Sequence, residues 1–339
     1  MNAAINTFEK LPSCLSASQL LPDRVSLVLG ESIDSVELPY SWYGDISKPV
    51  IVVLGGISAD QYVADANIDG HNVQGWWSSL IGYGRAIDLN YYSVVSINYL
   101  DAQSCTRQIN NTKPIEITTY DQATILKLVL DELRIKNLEC LIGSSYGGMV
   151  GLAFAEKYPN YLKQLITICC TDKSSSKNTA YRSLQRQILS FAIENNDVKR
   201  GLVLARSLAT LGYRGSEEIE TRFANQINFE KQQVEFPVEQ YLENQGEKFA
   251  NHFIAQRFLD LSLSVDLHKV DCKKIQTDCL CIGIQNDLIA PSDKVKKMTI
   301  KIGSNAKFTE ISSKSGHDGF LKEFEKISKI LKLELNNNA

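Results

Sequence analysis

The chain has 339 residues, 44% of them apolar, enough for one large α/β core with a smaller inserted unit. Its 36 basic and 39 acidic residues leave a net charge of −3, so no basic field exists to hold nucleic acid. No apolar run reaches the roughly 18 residues of a spanning helix, and the first residues lack a signal-peptide pattern, so a cytoplasmic protein with no membrane partner is expected.

Up to residue 45, apolar and polar positions alternate, as in Arg24-Val25-Ser26-Leu27-Val28-Leu29, which fits edge hairpins leading into a core. Val50-Ile51-Val52-Val53-Leu54 is β-branched and too short for a helix; it predicts a buried strand that stops at Gly55-Gly56. A second strand is predicted over 92–97. Residues 118–133 have helical periodicity, with Thr118 placed to cap at Asp121. A strand over 138–142, a helix over 146–157 stopped by Pro159 and a strand over 162–169 follow. This alternation predicts a mostly parallel sheet with helices on both faces.

From Asn178 to about Leu263 the β-branched runs nearly vanish. Helices are predicted over 183–193, 201–211, 217–229 and 238–253. Residues 178–263 are therefore expected to form a helical lid, between a first core part, 1–177, and a second, 264–339. Strands return at 279–284 and near 308–311, and a helix over 324–333 closes the chain.

Gly143-Ser144-Ser145-Tyr146-Gly147 stands between a predicted strand and a predicted helix. A G-x-S-x-G run in that setting reads as a nucleophile elbow with Ser145 at its apex. A serine hydroxyl needs a base within hydrogen-bond reach, and the chain has only His71, His252, His268 and His317. His71 lies in a polar loop, and His252 and His268 lie in or near the helical insert. His317, in Ser315-Gly316-His317-Asp318-Gly319, follows the last strand directly, and its flanking glycines permit a tight loop. Asp287 follows the strand over 279–284 and would fix the tautomer of His317. Asp278 lies at the opposite end of that strand and Asp293 too far on. A purely structural reading of Asp287 is an Asx-turn ahead of Pro291.

The N–H groups of Tyr146 and Ile57 are expected to form the oxyanion hole, aided by the positive end of the helix beginning at Tyr146. The insert carries Arg182, Arg186, Arg206, Arg214 and Arg222. Arg206 lies in an apolar stretch, where a guanidinium would bind a carboxylate bidentately, and Asp318 is placed to meet an ammonium group. Together they fit an amino-acid acceptor. Several of the eight cysteines sit in apolar runs as small hydrophobes. Cys279-x-Cys281 has only His268 nearby, so no metal is expected.

At this point the chain resembles the homoserine O-acyltransferases of the α/β-hydrolase superfamily. The resemblance rests on Gly75-Trp76-Trp77-Ser78-Ser79-Leu80-Ile81-Gly82, on Ser145-Tyr146-Gly147-Gly148-Met149-Val150, on Leu204-Ala205-Arg206-Ser207-Leu208, on Tyr213-Arg214 and on Gly316-His317-Asp318-Gly319-Phe320-Leu321. It implies an α/β-hydrolase fold with a helical lid and a ping-pong reaction. In that reaction Ser145 takes an acetyl or succinyl group from acetyl-CoA or succinyl-CoA, the co-substrate, with no bound cofactor or metal. Homoserine, activated by His317, then accepts it in methionine biosynthesis; serine is the alternative acceptor. The resemblance further implies that Arg206 and Tyr213 line the acceptor site, that Asp318 holds its amino group, and that two copies form a homodimer through their lids. Two departures stand out: Leu54-Gly55-Gly56-Ile57 replaces the usual Leu-His-Gly-Leu, and the segment 98–106 replaces a glycine-rich stretch, which implies a reshaped pocket. An esterase or thioesterase without an amino-acid acceptor, and a lid-bearing binding protein without catalysis, are the competing readings.

Overall fold

The computed structural model describes residues 11–21, 24–104, 114–224, 228–230 and 233–336. Eight strands form the main sheet: β1 (Cys14–Leu20), β2 (Glu37–Tyr43), β3 (Val50–Leu54), β4 (Ser93–Ile97), β5 (Leu138–Ser144), β6 (Leu162–Ile168), β7 (Asp278–Ile284) and β8 (Ala306–Ile311). Their spatial order is β1-β2-β4-β3-β5-β6-β7-β8. β2 pairs antiparallel with both β1 and β4 at one edge, and every pair beyond β4 is parallel.

β3 shows why its sequence is an unbroken apolar run. Val50, Val52 and Leu54 pack into the core on one face, Ile51 and Val53 into the core on the other. Burial on both faces removes any need for polar alternation, and each such side chain contributes about 1.5–3 kcal/mol. The helices α1 (Thr119–Glu132) and α2 (Tyr146–Lys157) pack together beside the central strands. Thr118 closes a reciprocal capping box with Asp121 at the start of α1.

Between β6 and β7 come α3 (Ser176–Glu194), α4 (Val198–Tyr213), α5 (Ser216–Phe223), α6 (Pro237–Ala250) and α7 (Ala255–Leu267). They hold a small apolar core of their own, with Leu189, Leu202, Ala205, Phe258 and Leu259. The helix expected over 217–229 stops early. Ala224 takes a left-handed conformation at φ 44°, and Asn228–Glu230 then pairs antiparallel with Gln233–Glu235. Beyond β7, α8 (Ser292–Ile302) and α9 (Phe324–Asn336) complete the core helices. Among the described residues no helix is long and apolar enough to cross a membrane.

In the sheet β4 lies on one side of β3 and β5 on its other side, so the strand order reverses at β3. The crevice outside the carboxyl ends of β3 and β5 is thus a topological switch point, where open α/β sheets bind ligands.

Candidate active site

Ser145 sits between β5 and α2 with φ 53° and ψ −116°, a strained conformation for a residue with a side chain. The turn closes so tightly that a Cβ on Gly143 would lie 2.3 Å from the Gly147 carbonyl oxygen, and one on Gly147 2.3 Å from that of Leu54. Only glycine fits at either position, the physical content of the G-x-S-x-G pattern.

Two further loops meet this elbow. Asp287 follows β7 and divides its carboxylate between two roles. Oδ1 accepts the backbone N–H groups of Ile289 and Ala290 at 2.7 and 2.8 Å, which is the Asx-type turn. Oδ2 accepts from His317 Nδ1 at 2.7 Å. Asp287 thus closes an Asx-type turn and holds the imidazole with the same carboxylate. His317 is placed by Gly316, whose φ of 59° turns the loop, and by Trp77, whose indole N–H donates to the Phe320 carbonyl at 2.9 Å. Through that bond the Trp76-Trp77 motif anchors the histidine loop. His317 Nε2 lies 2.7 Å from Ser145 Oγ. With Nδ1 donating to a carboxylate, Nε2 is left to accept the hydroxyl proton.

Burial alone would disfavour an imidazolium at His317, but the Asp287 charge and hydrogen bond outweigh it and raise His317 above the ordinary histidine value of 6.5. The ring stacks beside Tyr213 at 5.9 Å and meets the edge of Phe320 at 6.0 Å.

Ile57, Ser145, Tyr146, Arg206, Tyr213, His317 and Asp318 all line one pocket of about 80 Å³. Asp287 is behind it, buried against His317. The Gly55 carbonyl, at the start of the loop that carries Ile57, accepts from Gly147 N–H at 2.9 Å and from the Tyr99 hydroxyl at 2.5 Å. Tyr99 belongs to the unusual segment 98–106, of which residues 105 and 106 lie outside the described residues.

The five arginines sort by their partners. Arg182 and Arg186 both bind Asp266, at 2.6 and 2.7 Å. Arg214 meets Glu218 and Asp318 at 3.4 and 3.3 Å. Arg222 lies over the rings of Phe223 and Tyr241. Arg206 lies over Tyr213 at 5.2 Å and Phe249 at 4.8 Å, and no carboxylate among the described residues neutralises it.

One functional expectation needs correction. Read from the sequence, the imidazole has a single nucleophile, and the whole function rests on a Ser145 acyl-enzyme. The structure adds a thiol: Cys169, Asp287 and His317 are all buried and bring one ligand atom each within 4.8 Å of one another. The imidazole–carboxylate pair thus has a thiol as well as a hydroxyl at hand, and the acyl carrier is not Ser145 by default. In the sequence Cys169 reads as a small hydrophobe in an apolar run. In the structure it is the first residue past β6, with φ 46°, and it lines the same pocket as Ser145 and His317. Its position at the carboxyl end of a central strand, where elbow and acid also lie, is the signal that could have found it. Burial, and then the Asp287 charge, push the thiol far above its ordinary range, so it reacts only if a base takes its proton.

The same three residues could in principle hold a metal ion. Two of the three already have their donor atoms engaged: His317 by Ser145 and Asp287, and Asp287 by His317 and two backbone N–H groups. Cys279 and Cys281 are buried in β7, and His268 is bonded to Thr119 and to the Thr171 carbonyl.

The strand order, the elbow, and the late histidine on an acid after β7 define an α/β-hydrolase, and the family described as alpha/beta hydrolase fold matches residues 49–324. The homoserine O-succinyltransferase of Xanthomonas campestris pv. campestris is 30% identical over 304 residues, covering 90% of this chain and 80% of that protein. The homoserine O-acetyltransferase of Moorella thermoacetica is 28% identical over 339 residues, covering 89% and 91%. The chain belongs to the homoserine O-acyltransferase family of the α/β-hydrolase superfamily. Its fold is shared with the crystal structure of homoserine O-acetyltransferase from Bacillus anthracis, at TM-score 0.85 and 20% identity over 95% of this chain and 98% of that one. It is shared equally with esterase E22, at TM-score 0.83 and 18% identity over 95% and 100%.

Proposed function

We propose that this chain transfers an acyl group, acetyl or succinyl, from a CoA thioester to the side-chain hydroxyl of homoserine, and so feeds methionine synthesis in the cytoplasm. The observation that carries this reading is one pocket holding both a buried imidazole–carboxylate pair and the carboxylate-free guanidinium of Arg206. A hydrolase needs only the first; an amino-acid acceptor needs the second. The relatives' printed activities on homoserine support the same choice.

His317 acts as the general base toward the group that takes the acyl, and then toward the homoserine hydroxyl. Asp287 orients it and stabilises the imidazolium. The N–H groups of Tyr146 and Ile57 receive the oxyanion. Arg206 takes the acceptor carboxylate, Tyr213 forms the wall between Arg206 and His317, and Asp318 takes the acceptor ammonium, exchanging its contact with Arg214. The helices between β6 and β7 serve as the lid that keeps water from the acylated site. Their exposed Tyr181, Leu184 and Phe191, along one side of α3, support a homodimer that pairs through the lids.

The test is a donor-by-acceptor matrix of acetyl-CoA or succinyl-CoA, each with homoserine, serine or water, following CoA release and O-acyl product. Homoserine-dependent CoA release is expected; release that ignores every amino acid would sink the transferase reading. Mixing donor and enzyme without acceptor, followed by peptide mass mapping, assigns the acyl carrier between Ser145 and Cys169.

A further inference from the structure

A second cavity, of about 520 Å³, adjoins the catalytic pocket, with Ser58 and Arg206 lining both. Its volume suits a sizeable small molecule, and its lining is of a different kind. Lys248 and His252 stand exposed at its rim, on and just beyond α6, and Arg257 comes from α7. Asp60 is its one acidic lining residue among the described residues. Arg257 is tied to Asp101 at 2.5 Å, but no acid among the described residues takes up Lys248. Phe249 and Phe253 stack at 4.4 Å and 24° along the same wall. Asn98 Oδ1 is buried with no hydrogen-bond partner. Cations beside an aromatic platform and an unsatisfied amide suit a phosphorylated nucleotide: phosphates for the cations, a base for the ring face, and a donor group for the amide oxygen.

We infer that this cavity holds the phosphorylated nucleotide end of the thioester donor, with Lys248 on the phosphates and Phe253 under the base. The inference rests on the acyl-transfer reading, because it orients the donor: its nucleotide lies on the Phe249 side of Arg206, and its thioester reaches past Ser58 to the imidazole. Arg206 then divides a donor side from an acceptor side.

The probes are free CoA and adenosine 3′,5′-bisphosphate, titrated calorimetrically into the full-length wild type, Lys248→Ala and Phe253→Ala. Both ligands are expected to bind the wild type and to compete. Each variant is expected to weaken both by about tenfold, the value of one charge-assisted or stacking contact. Unfolding temperature checks that each variant is folded, and the milder Lys248→Gln or Phe253→Leu replaces one that is not. Equal affinity for CoA in wild type and variants, or a bisphosphate that does not displace CoA, overturns the assignment even if homoserine is acylated. Variant-sensitive CoA binding without any O-acylhomoserine would instead uphold the cavity and sink the acyl-transfer reading.

Discussion

His317 and His268 are the two deeply buried histidines of the described chain, and they have opposite chemistry. His317 stands at the mouth of the sheet with a carboxylate on Nδ1, and its affinity for a proton is raised. His268, the residue after α7, has only neutral partners: Thr119 Oγ1 at 2.8 Å from Nδ1 and the Thr171 carbonyl at 3.0 Å from Nε2. A carbonyl can only accept, so His268 carries its proton on Nε2, whereas His317 carries it on Nδ1. Burial pushes His268 down to about 4. Burial is common to both rings, so burial does not make a base; a carboxylate behind the ring and an open pocket before it do.

The largest expected effect breaks the pair apart by rate. His317→Ala should lower kcat/KM for acyl transfer by about a millionfold, the scale of removing a base that acts as a unit with its neighbours. His268→Ala should leave kcat within a small factor while the protein stays folded. A folded His268→Ala enzyme without turnover would erase the distinction.

Asp287→Asn should cost about 10⁴-fold in kcat, because the imidazole loses the partner that fixes its tautomer. It should also move the pH profile. In the wild type the base must be neutral, so the acid limb of kcat/KM should lie above 6.5, the direction of the His317 shift. With the charge gone, burial is the largest remaining influence, with Arg182 acting in the same direction and Asp318 against it, and the limb should move down. A limb that stays in place would show that Asp287 does not set the proton affinity of His317.

For His268 the sign reverses and the readout is stability. The unfolded chain binds a proton near the ordinary histidine value of 6.5, the folded chain only near 4. Stability from this group is therefore complete above 6.5 and lost as pH falls toward 4, by about 3 kcal/mol in all. Urea unfolding at pH 7 and pH 4.5 should show most of this loss in the wild type and less in His268→Gln. A smaller effect belongs to the acceptor side. Arg206→Ala should raise KM for homoserine by about thirtyfold, the scale of a hydrogen bond to a charged group, with little change for the donor.

What was legible follows from the same contrast. Ser145, Asp287 and His317 sit on short backbone devices that a sequence displays: a glycine-bounded elbow, an acid just past a strand, a histidine between glycines. The parallel core was legible because β3 and its neighbours are buried on both faces and cannot hide among polar residues. Cys169 was harder to read, since it closes an apolar run beside a second cysteine: its place at the strand end was the one signal, and the structure separates the two by the turn at φ 46°, with Cys170 packing toward Gly148. Nor was the ranking of the arginines, because Asp266, which neutralises Arg182 and Arg186, lies about 80 residues away along the chain. The early end of α5 was hidden for a local reason: nothing in its composition announces the left-handed stop at Ala224.

On the proposed function, the pocket passes an acyl group to an amino acid rather than to water. The most direct measurement is simultaneous: CoA release and O-acylhomoserine formation, followed with and without homoserine on the wild-type enzyme. Release that rises with homoserine and matches the ester one for one is the predicted result. Release that proceeds at the same rate without homoserine, and yields only free acid, would contradict it.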